Sequence, residues 1–498
     1  MTIINKLISF QFPSPTKYIF WIVLALLLRG SSALFFSNGA KKIYPENVVN
    51  GIAVKQNDYY MFLGVIDTYF ETGTMSIKQG KPFAGRMPGY GIPYAIFQFV
   101  FSKEVALTSL ILCQILLSSI AVYVLAKTSY LLWNNEKIFT LSFLLFGLSC
   151  YTSIYDIFSL SESFAVSAIV FCMYYIVKYF KEYSKKYLVV GGFFLAWAIF
   201  LRPFLGILIV IFSLLLFFNL LKKFNLKKAF IAVAVFCSAF IVMETAWIYR
   251  NYKALNKFVP LETSLEESYG KYGTYRKSAE ELRLLINAWG GETGDFYDIS
   301  DAWWFAKAKG RDIENYKFHT SVYNAGISQE RLIQIKNLYA ESVKSKYSDA
   351  KKDTLNTICI SLIKTVKQQY LISNTFRSKV VVPFIRIKRL ILSNPTLAMP
   401  LPTFEKMNLI EKGIKLVTVA LYFFVLLLSV PAIIKIKKTI EEKTIFYILV
   451  SIPLSIIVLF TFMGIAITEN RYFLSAYPIL ILFVSAYIVS ILKSFKNK

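Results

Sequence analysis

Long apolar stretches alternate with short polar connections along almost the whole chain. A helix needs about 20 apolar residues to cross the hydrocarbon core of a bilayer. Ten stretches reach or approach that length and predict spanning helices, at 18–37, 105–126, 138–154, 161–177, 188–201, 203–221, 229–249, 412–434, 444–467 and 472–492. The pattern therefore predicts an all-α polytopic membrane protein built on a transmembrane helix bundle.

Lysines and one predicted helix break determine the expected orientation of these spans. The apolar block 188–221 is too long for one span and short for two, and we expect it to break at Arg202-Pro203. With this break and a cytoplasmic N-terminus, the short lysine-rich loops all fall on the cytoplasmic side, as the positive-inside rule requires. The outer side then holds the loop 38–103, the link 155–160, a polar region from about 250 to 411 and the turn 468–471.

This topology divides the chain into three regions. We expect an N-terminal transmembrane module of seven spans over residues 1–250, which includes the outer loop 38–103. Residues 251–411 are expected to form an extracytoplasmic, mainly helical region, in which 278–289 and 328–344 have helical patterns. Residues 412–498 are expected to form a C-terminal transmembrane module of three spans.

Composition and charge support the membrane assignment and exclude several other classes. The chain of 498 residues is 56% hydrophobic and 17% charged, whereas a soluble domain carries about 25% charged residues. A formal net charge of +26 suggests nucleic acid as a partner, but the lysines lie in short loops where membrane orientation accounts for them. We therefore expect no nucleic-acid partner. Five cysteines without a C-x-x-C pair indicate free thiols, and the single histidine, His319, does not supply a His-based metal site or triad.

The remaining candidates for chemistry are carboxylates and arginines at the predicted outer ends of spans. A carboxylate there can act as a general base, and a guanidinium matches phosphate oxygens. Four groups share this location: Asp58, Asp67, Arg86 and Tyr90 in the first outer loop; Glu162 at the start of the fourth span; Glu244, Trp247, Arg250 and Asn251 at the end of the seventh; and Glu469, Arg471 and Tyr472 before the last. Taken singly, each also fits a structural role, such as a helix-terminal charge or an interfacial tryptophan. Arg29, within the first span, needs a buried partner that the sequence does not identify.

Short motifs in these groups follow one another in a recognisable order. Asp58 precedes R-M-P-G-Y at 86–90, S-E at 161–162 opens the fourth span, L-R-P occurs at 201–203, W-I-Y-R-N-Y at 247–252 and R-Y at 471–472. This order resembles the membrane-embedded glycosyltransferases of the GT-C superfamily. More narrowly, it resembles the glycosyltransferase family 39-like branch of protein O-mannosyltransferases and the aminoarabinose transferase of lipid A. Ala246 replaces the usual proline of this branch, and the first-loop acid is not a clean pair, which leaves Asp58 and Asp67 as alternatives.

The resemblance implies a GT-C-type bundle and an enzyme that uses a polyprenyl-phosphate sugar donor. Such an enzyme transfers the sugar to a hydroxyl of a cell-envelope glycan, lipid or protein on the outer face, by inverting displacement. By resemblance, the catalytic residues are Asp58, Asp67 and Glu162, and the donor-phosphate contacts are Arg86, Arg250 and Arg471. The implied substrate cavity is lined by Tyr90, Arg202, Glu244, Trp247, Asn251, Glu469 and Tyr472. No metal is assigned: the three acids offer oxygen ligands for a divalent ion, and arginines alone can neutralise a single phosphate.

Two other classes of membrane protein share part of this pattern. A lipid or glycan transporter or flippase also has many spans with buried charges, but it usually shows an internal repeat and charges at the midplane. A non-catalytic envelope-assembly protein would keep the helices and have no use for Asp58. The chain has no N-x-(S/T) sequon and no KDEL-type tail. We expect a bacterial cytoplasmic (inner) membrane, surrounding membrane lipids, and a site that faces the periplasm or exterior.

The segment 354–394 lies outside these motifs and has an apolar helix face with only basic charged residues. We expect it to form helices on the outer leaflet, with the stretch Arg386–Arg389 in contact with the membrane. For Lys364 and Lys367, the sequence instead favours a helix that packs on the rest of the outer region and leaves the lysines in solvent.

Overall fold

The structure, a computed structural model, describes residues 14–77, 82–263, 277–291, 305, 316–465 and 468–496. Helices dominate this part of the chain and confirm the predicted fold class. The N-terminal α-helices are α1 (Tyr18–Ile43), α2 (Val65–Thr72), α3 (Gly91–Gln98), α4 (Lys103–Trp133), α5 (Glu136–Gly147), α6 (Cys150–Ser153), α7 (Glu162–Glu182), α8 (Lys185–Leu201), α9 (Gly206–Lys223) and α10 (Leu226–Leu255). The later ones are α11 (Lys277–Trp289), α12 (Thr320–Asn324), α13 (Gln329–Glu341), α14 (Asp349–Ser373), α15 (Val382–Ile391), α16 (Leu409–Ile436), α17 (Lys443–Ile457) and α18 (Tyr477–Lys496). Two short antiparallel strands, β1 (Val48–Val49) and β2 (Ala53–Val54), pair Val48 with Val54.

Eight helical segments of the described chain are long and apolar enough to cross a membrane. They are α1, α4, α7, α9 with the 3-10 turn before it, α10, α16, α17 with the π-turn after it, and α18. A ninth candidate is α5 continued by α6, which meet at a 48° bend. Helix α8 has 17 residues and is about 26 Å long at 1.5 Å per residue, shorter than the hydrocarbon core of about 30 Å. These helices confirm the prediction of a membrane protein, but they do not confirm the predicted count of ten spans.

The predicted break in the apolar block 188–221 is present. Helix α8 ends at Leu201, Arg202 is extended with φ −146° and ψ 92°, and a 3-10 turn at Pro203–Leu205 leads into α9. Proline disfavours helical geometry in the residue before it, which explains why the helix stops ahead of Arg202-Pro203. The break leaves the Arg202 side chain between two apolar helices.

The lysine-rich connections meet at one end of the bundle, which we call the lysine-rich end. The Trp133 indole donates to the Thr439 hydroxyl over 3.0 Å, and Asn219 donates to Glu442 over 3.0 Å. Lys181 lies 3.6 Å from Glu441. The connections after α4, α7 and α9 therefore all gather around the one between α16 and α17.

The polar region between α10 and α16 has a hydrophobic core of its own. It is formed by α11 to α14 and includes Leu285, Trp289, Ile335, Ile363 and Tyr370, all at most 1% exposed. The two helices predicted here are present as α11 and α13, with boundaries within three residues of the sequence estimate.

Arg386 and Arg389 do not face the membrane, so that prediction is wrong. Arg389 donates to the carbonyls of Gly291 and Gly290 over 2.8 and 3.0 Å, and Arg386 donates to the carbonyl of Asn287 over 2.8 Å. These carbonyls lie at the C-terminal end of α11, where they lack partners within the helix and carry the negative end of its dipole. That local attraction holds both side chains against α11, where Arg386 is buried and Arg389 is partly buried.

The packing that the sequence favoured around Lys364 and Lys367 is present, but the two lysines form ion pairs instead of being left in solvent. Both lie beside Glu281 of α11, at 3.5 and 3.4 Å. Helix α14 thus packs on α11 with its apolar face and adds two ion pairs along the edge of that contact.

Arg29 of α1 joins the two sides of the bend between α5 and α6. Its guanidinium lies 3.4 Å from the Asp156 carboxylate and donates to the Phe146 carbonyl over 3.2 Å and to the Thr152 hydroxyl over 3.1 Å. Both Arg29 and Asp156 are 1% exposed. Charges inside a bilayer are stable only when paired, and Asp156 is the partner that the sequence did not identify.

Removing one member of this buried pair is expected to destabilise the fold strongly. Arg29→Met leaves Asp156 charged and unpaired, which typically costs about 3–5 kcal/mol. We expect a clear fall in the midpoint of thermal unfolding in detergent, and a partial recovery in Arg29→Met/Asp156→Asn because the orphaned charge is gone. The control is Lys42→Met, since Lys42 is 70% exposed and 4.0 Å from Glu411. Equal midpoints for Arg29→Met and Lys42→Met would contradict this role.

Candidate active site

Arg471 is the centre of a group of charges at the end of the bundle opposite the lysine-rich end. Its Nη1 lies 3.0 Å from Oδ2 of Asp58 and 3.6 Å from Oε1 of Glu162, and its Nε lies 2.6 Å from Oε2 of Glu469. Arg202 forms a second ion pair with Glu162. These five residues, which we call the ionic cluster, were all predicted as site residues from the sequence.

The local backbone explains why Glu162 and Arg202 meet. Glu162 is the first residue of α7, and the hydroxyl of the preceding Ser161 donates to the carbonyl of Leu201 over 3.1 Å. This bond ties the start of α7 to the last residue of α8. The residue after Leu201 is Arg202, so the break between α8 and α9 delivers its guanidinium to the Glu162 carboxylate.

The turn that carries Arg471 is held from several sides. The Tyr151 hydroxyl donates to the Asn470 carbonyl over 2.9 Å, and the Asn470 amide donates to the Leu390 carbonyl and the Tyr422 hydroxyl, each over 3.0 Å. The ring of Tyr472 stacks on Phe460 with centroids 4.5 Å apart. The 3-10 turn Asn470–Phe473 is therefore a fixed platform for Arg471.

Burial differs among the charges of the cluster. The side chain of Glu162 is 3% exposed, whereas those of Asp58 and Arg471 are 27% and 23% exposed. Burial alone would lower the pKa of Arg471, but the nearby Tyr472, Glu162, Glu469 and Asp58 raise it well above its usual value. The guanidinium thus stays charged, and Asp58 and Glu469, whose side chain is 41% exposed, are the carboxylates beside it that a substrate can reach.

Arg86 lies at the rim of the cluster and pairs with a residue that the sequence did not single out. Its Nη1 is 3.2 Å from Oε2 of Glu262, and its guanidinium lies 5.7 Å from the centre of the Phe62 ring. Burial raises the pKa of Glu262, and the positive charges of Arg86 and Arg202 oppose that rise. Glu262 belongs to no motif, and its acidic character beyond the seventh span was the only signal in the sequence.

Three residues from the end of α10 hold the segment 256–263, which we call the strap. The Leu261 amide donates to Glu244 over 2.7 Å, and the Trp247 indole donates to the Leu261 carbonyl. The Asn251 amide donates to the Val259 carbonyl over 3.2 Å. The structure therefore places these predicted cavity residues against the backbone of the strap, next to Glu262.

Arg250 contacts backbone as well. Its Nη1 donates to the Phe83 carbonyl over 2.7 Å and to the Asn251 side chain over 2.9 Å, and its guanidinium lies 5.1 Å from the centre of the Trp247 ring. The ionic cluster does not include it. Arg250 instead joins α10 to the part of the first loop that leads to Arg86.

Asp67 is occupied by four donors of its own neighbourhood. It accepts hydrogen bonds from Tyr59 and Tyr94, each over 2.8 Å, and from Gln98 over 3.2 Å, and it lies 2.8 Å from Lys103. At 4% exposure it is buried between α2, α3 and the start of α4. Asp67 therefore has different hydrogen-bond and ion-pair partners from Asp58 and Glu162, and it lies in different surroundings.

Tyr90 stabilises, through Gln114, the backbone link that leads to Glu162. Its hydroxyl donates to Gln114 over 2.6 Å, and the Gln114 amide donates to the carbonyls of Asp156 and Phe158, each over 3.1 Å. These carbonyls belong to the link that leads to Glu162. Tyr90 is fully buried, so it acts on the position of the link and does not line an open cavity.

The described residues contain no group of three or more His, Cys, Asp or Glu side chains placed to hold a metal ion. Asp67 has other partners, and Asp58 and Glu162 both face Arg471, a competing cation. Among the described residues, the donor set suggested by the sequence is therefore not assembled.

Comparison with known proteins supports the resemblance to membrane glycosyltransferases that the sequence motifs indicated. Residues 87–263 match the Alg9-like mannosyltransferase family. No curated protein matches the chain in sequence. The resemblance to GT-C glycosyltransferases is confirmed at the level of the superfamily, and the narrower branch named from the sequence stays a prediction.

Several solved structures align with this chain at low sequence identity. An Archaeoglobus fulgidus oligosaccharyltransferase in the apo form aligns with a TM-score of 0.50 at 11% identity, over 96% of this chain and 51% of that one. AglB from the same organism, in complex with an inhibitory peptide and a dolichol-phosphate, aligns at 0.48 and 12% identity with the same coverages. ArnT from Cupriavidus metallidurans aligns at 0.36 and 11%, over 94% of this chain and 77% of that one. The chain spans about half the length of the oligosaccharyltransferases, and the likeness is one of fold.

The close packing of the first loop on α8 gives a test of the site's scaffold. A Cβ on Gly89 would lie 2.5 Å from the Phe200 carbonyl carbon, whereas one on Gly413 would have nothing within 4 Å. Gly89→Ala is therefore expected to destabilise the protein by about 1–3 kcal/mol through overpacking. Gly413→Ala lies within a helix and should be neutral or slightly stabilising. Thermal unfolding of both variants measures this, and an unchanged midpoint for Gly89→Ala would show that the loop does not depend on the contact.

Proposed function

We propose that the protein is a glycosyltransferase whose active site is the ionic cluster. It transfers a sugar from a polyprenyl-phosphate donor to a hydroxyl of a glycan, lipid or protein acceptor, in one inverting displacement. The observation that carries this proposal is the contact between Arg471 and Asp58. It puts a partly exposed carboxylate and a fixed guanidinium 3.0 Å apart at one end of the spans, where a lipid phosphate lies.

Asp58 is the proposed base. It takes the proton from the acceptor hydroxyl while the oxygen attacks the anomeric carbon, and the bond between that carbon and the phosphate oxygen breaks. The phosphate leaves with the electron pair, and Arg471 stabilises the charge that develops on it. Arg86, 3.2 Å from Glu262 at the rim, is the proposed second contact for the phosphate.

Glu162 and Asp67 have supporting roles in this proposal. Glu162 is 3% exposed and faces both Arg202 and Arg471, so it orients the two guanidiniums and does not meet the acceptor. Donor binding replaces carboxylate oxygens around Arg471 with phosphate oxygens, which frees Asp58 for proton transfer. Asp67, already bound by four donors, maintains the shape of the first loop.

The proposed location is a bacterial cytoplasmic membrane with the site facing the periplasm or exterior. The support is the gathering of lysine-rich connections at the end of the bundle opposite the ionic cluster. Positive residues favour the cytoplasmic side, which leaves the cluster on the outer side. A donor that is held in the bilayer by its polyprenyl chain presents its phosphate at that level.

Replacing the proposed base is expected to slow transfer strongly without unfolding the protein. Asp58→Asn keeps the size of the side chain and its exposure, and loss of a general base typically lowers the rate by about 10²–10⁴-fold. The readout is release of polyprenyl phosphate by purified protein in lipid nanodiscs, with thermal unfolding as a check on folding.

The matched variant Asp67→Asn should lower stability and keep turnover in the folded fraction. An active Asp58→Asn with an inactive, folded Asp67→Asn would move the base to Asp67. A protein that moves lipid across vesicles without releasing phosphate would indicate the transporter alternative.

Two arginines with similar motif support are expected to behave differently. Arg471→Ala should weaken binding of polyprenyl phosphate by about tenfold or more, because a charge-assisted hydrogen bond contributes about 1.5–3 kcal/mol. Arg250→Ala should mainly lower the unfolding midpoint, since Arg250 bonds to backbone. Lys253→Ala is the control at the same end of α10. Unchanged phosphate affinity in Arg471→Ala would exclude the phosphate role of that residue.

A further inference from the structure

An exposed apolar ridge runs along α14, the π-turn Arg377–Val381 and α15. Ile372, Phe376, Val380 and Phe384 are 79%, 72%, 37% and 66% exposed. Their spacing of four residues keeps them on one side of a helix. Exposed apolar surface of this extent marks an interaction surface, and we call these four residues the apolar ridge.

The opposite side of the same helices is packed inside the protein. Tyr370, Val382 and Leu390 are at most 1% exposed, and Arg386 is 8% exposed. The helices are therefore fixed in rotation, so the apolar ridge is a permanent outer surface of the described structure.

The C-terminal end of α15 lies beside the spanning helices rather than above them. The Ile391 carbonyl accepts a hydrogen bond of 2.7 Å from the hydroxyl of Tyr422 in α16. Tyr422 comes 13 residues after Leu409, the first residue of α16, which is about 20 Å along the helix axis. Arg386 also donates to the Thr461 carbonyl, at the end of the span that begins at Lys443.

The surface next to the apolar ridge has the character of a membrane boundary. Phe462 and Met463, at the end of that same span, are 59% and 64% exposed. Lys379 and Lys388 are exposed and flank the apolar ridge. Lysines beside apolar side chains suit the headgroup level of a bilayer, where the amine reaches phosphate while the stem lies along the apolar surface.

We propose that the apolar ridge lies in the bilayer leaflet at the end of the bundle that holds the ionic cluster, with Lys379 and Lys388 directed to its phosphate headgroups. The partner is the lipid surface itself. The sequence placed the membrane contact at Arg386 and Arg389, whereas this proposal places it on a different face of the same helices. It is independent of the proposed glycosyl transfer and requires only that the bundle spans a membrane.

The proposed contact has a consequence for the active site. The Leu390 carbonyl of α15 accepts a hydrogen bond from Asn470, the residue before Arg471. A helix seated in the leaflet thus sets the depth of the Arg471 platform relative to the lipid phosphates. The apolar ridge is in this way a positioning surface for the site.

The experiment measures the depth of single labelled positions in the full-length protein. Phe376→Cys and Phe384→Cys are labelled with an environment-sensitive nitrobenzoxadiazole dye in nanodiscs that contain spin-labelled acyl chains. Ala350→Cys, also exposed and at the other end of α14, is the matched control. The wild-type protein, labelled in parallel, corrects for the five native cysteines, and the unfolding midpoint confirms that each variant is folded.

We expect severalfold stronger quenching by spin-labelled lipid at positions 376 and 384 than at 350, and stronger quenching by aqueous iodide at 350. Iodide quenching at 376 and 384 equal to that at 350 would overturn the proposal, since the apolar ridge would then face water. Blue-shifted emission without quenching by lipid or iodide would overturn it too, because another protein surface or a second copy would cover the apolar ridge.

Discussion

The arrangement of the candidate site depends on the need to pair one buried carboxylate, that of Glu162. Glu162 is the first residue of an apolar helix, and its side chain is 3% exposed. An unpaired charge is strongly unfavourable in this position. Arg202 and Arg471 provide the pairing from two distant parts of the chain. This requirement brings the start of α7, the break between α8 and α9 and the turn before α18 to one point, and Asp58 joins them through Arg471.

Further buried polar contacts hold the elements that meet at this point. Arg29 and Asp156 fix the bend that leads to Glu162, and Tyr90 acts on the same link through Gln114. On the opposite side, Glu244 and its neighbours on α10 fix the strap that carries Glu262 to Arg86. The charges that can meet a substrate are thus few, and most other polar side chains near them bond to backbone.

The sequence was sufficient for the fold class and for the members of the ionic cluster, but it did not identify the partners of Arg29 and Arg86. Hydrophobic length predicted most spans, but it cannot reveal that 138–154 bends after Gly147. Motif order selected Trp247 and Arg250 as site residues, yet a motif gives the type of a residue and not the direction of its side chain. Both turn to backbone atoms. Glu262 was missed because it belongs to no motif, and Arg386 was misplaced because the carbonyls at the end of α11 attract it more than a surface does.

The most direct test of the account is a structure of the protein in lipid nanodiscs with a polyprenyl phosphate bound. The account predicts phosphate oxygens at about 2.7–2.9 Å from the Arg471 guanidinium, the distance of a charge-assisted hydrogen bond, with Asp58 released from that contact and facing the site of the anomeric carbon. A phosphate bound elsewhere, with the contact between Asp58 and Arg471 intact, would contradict it.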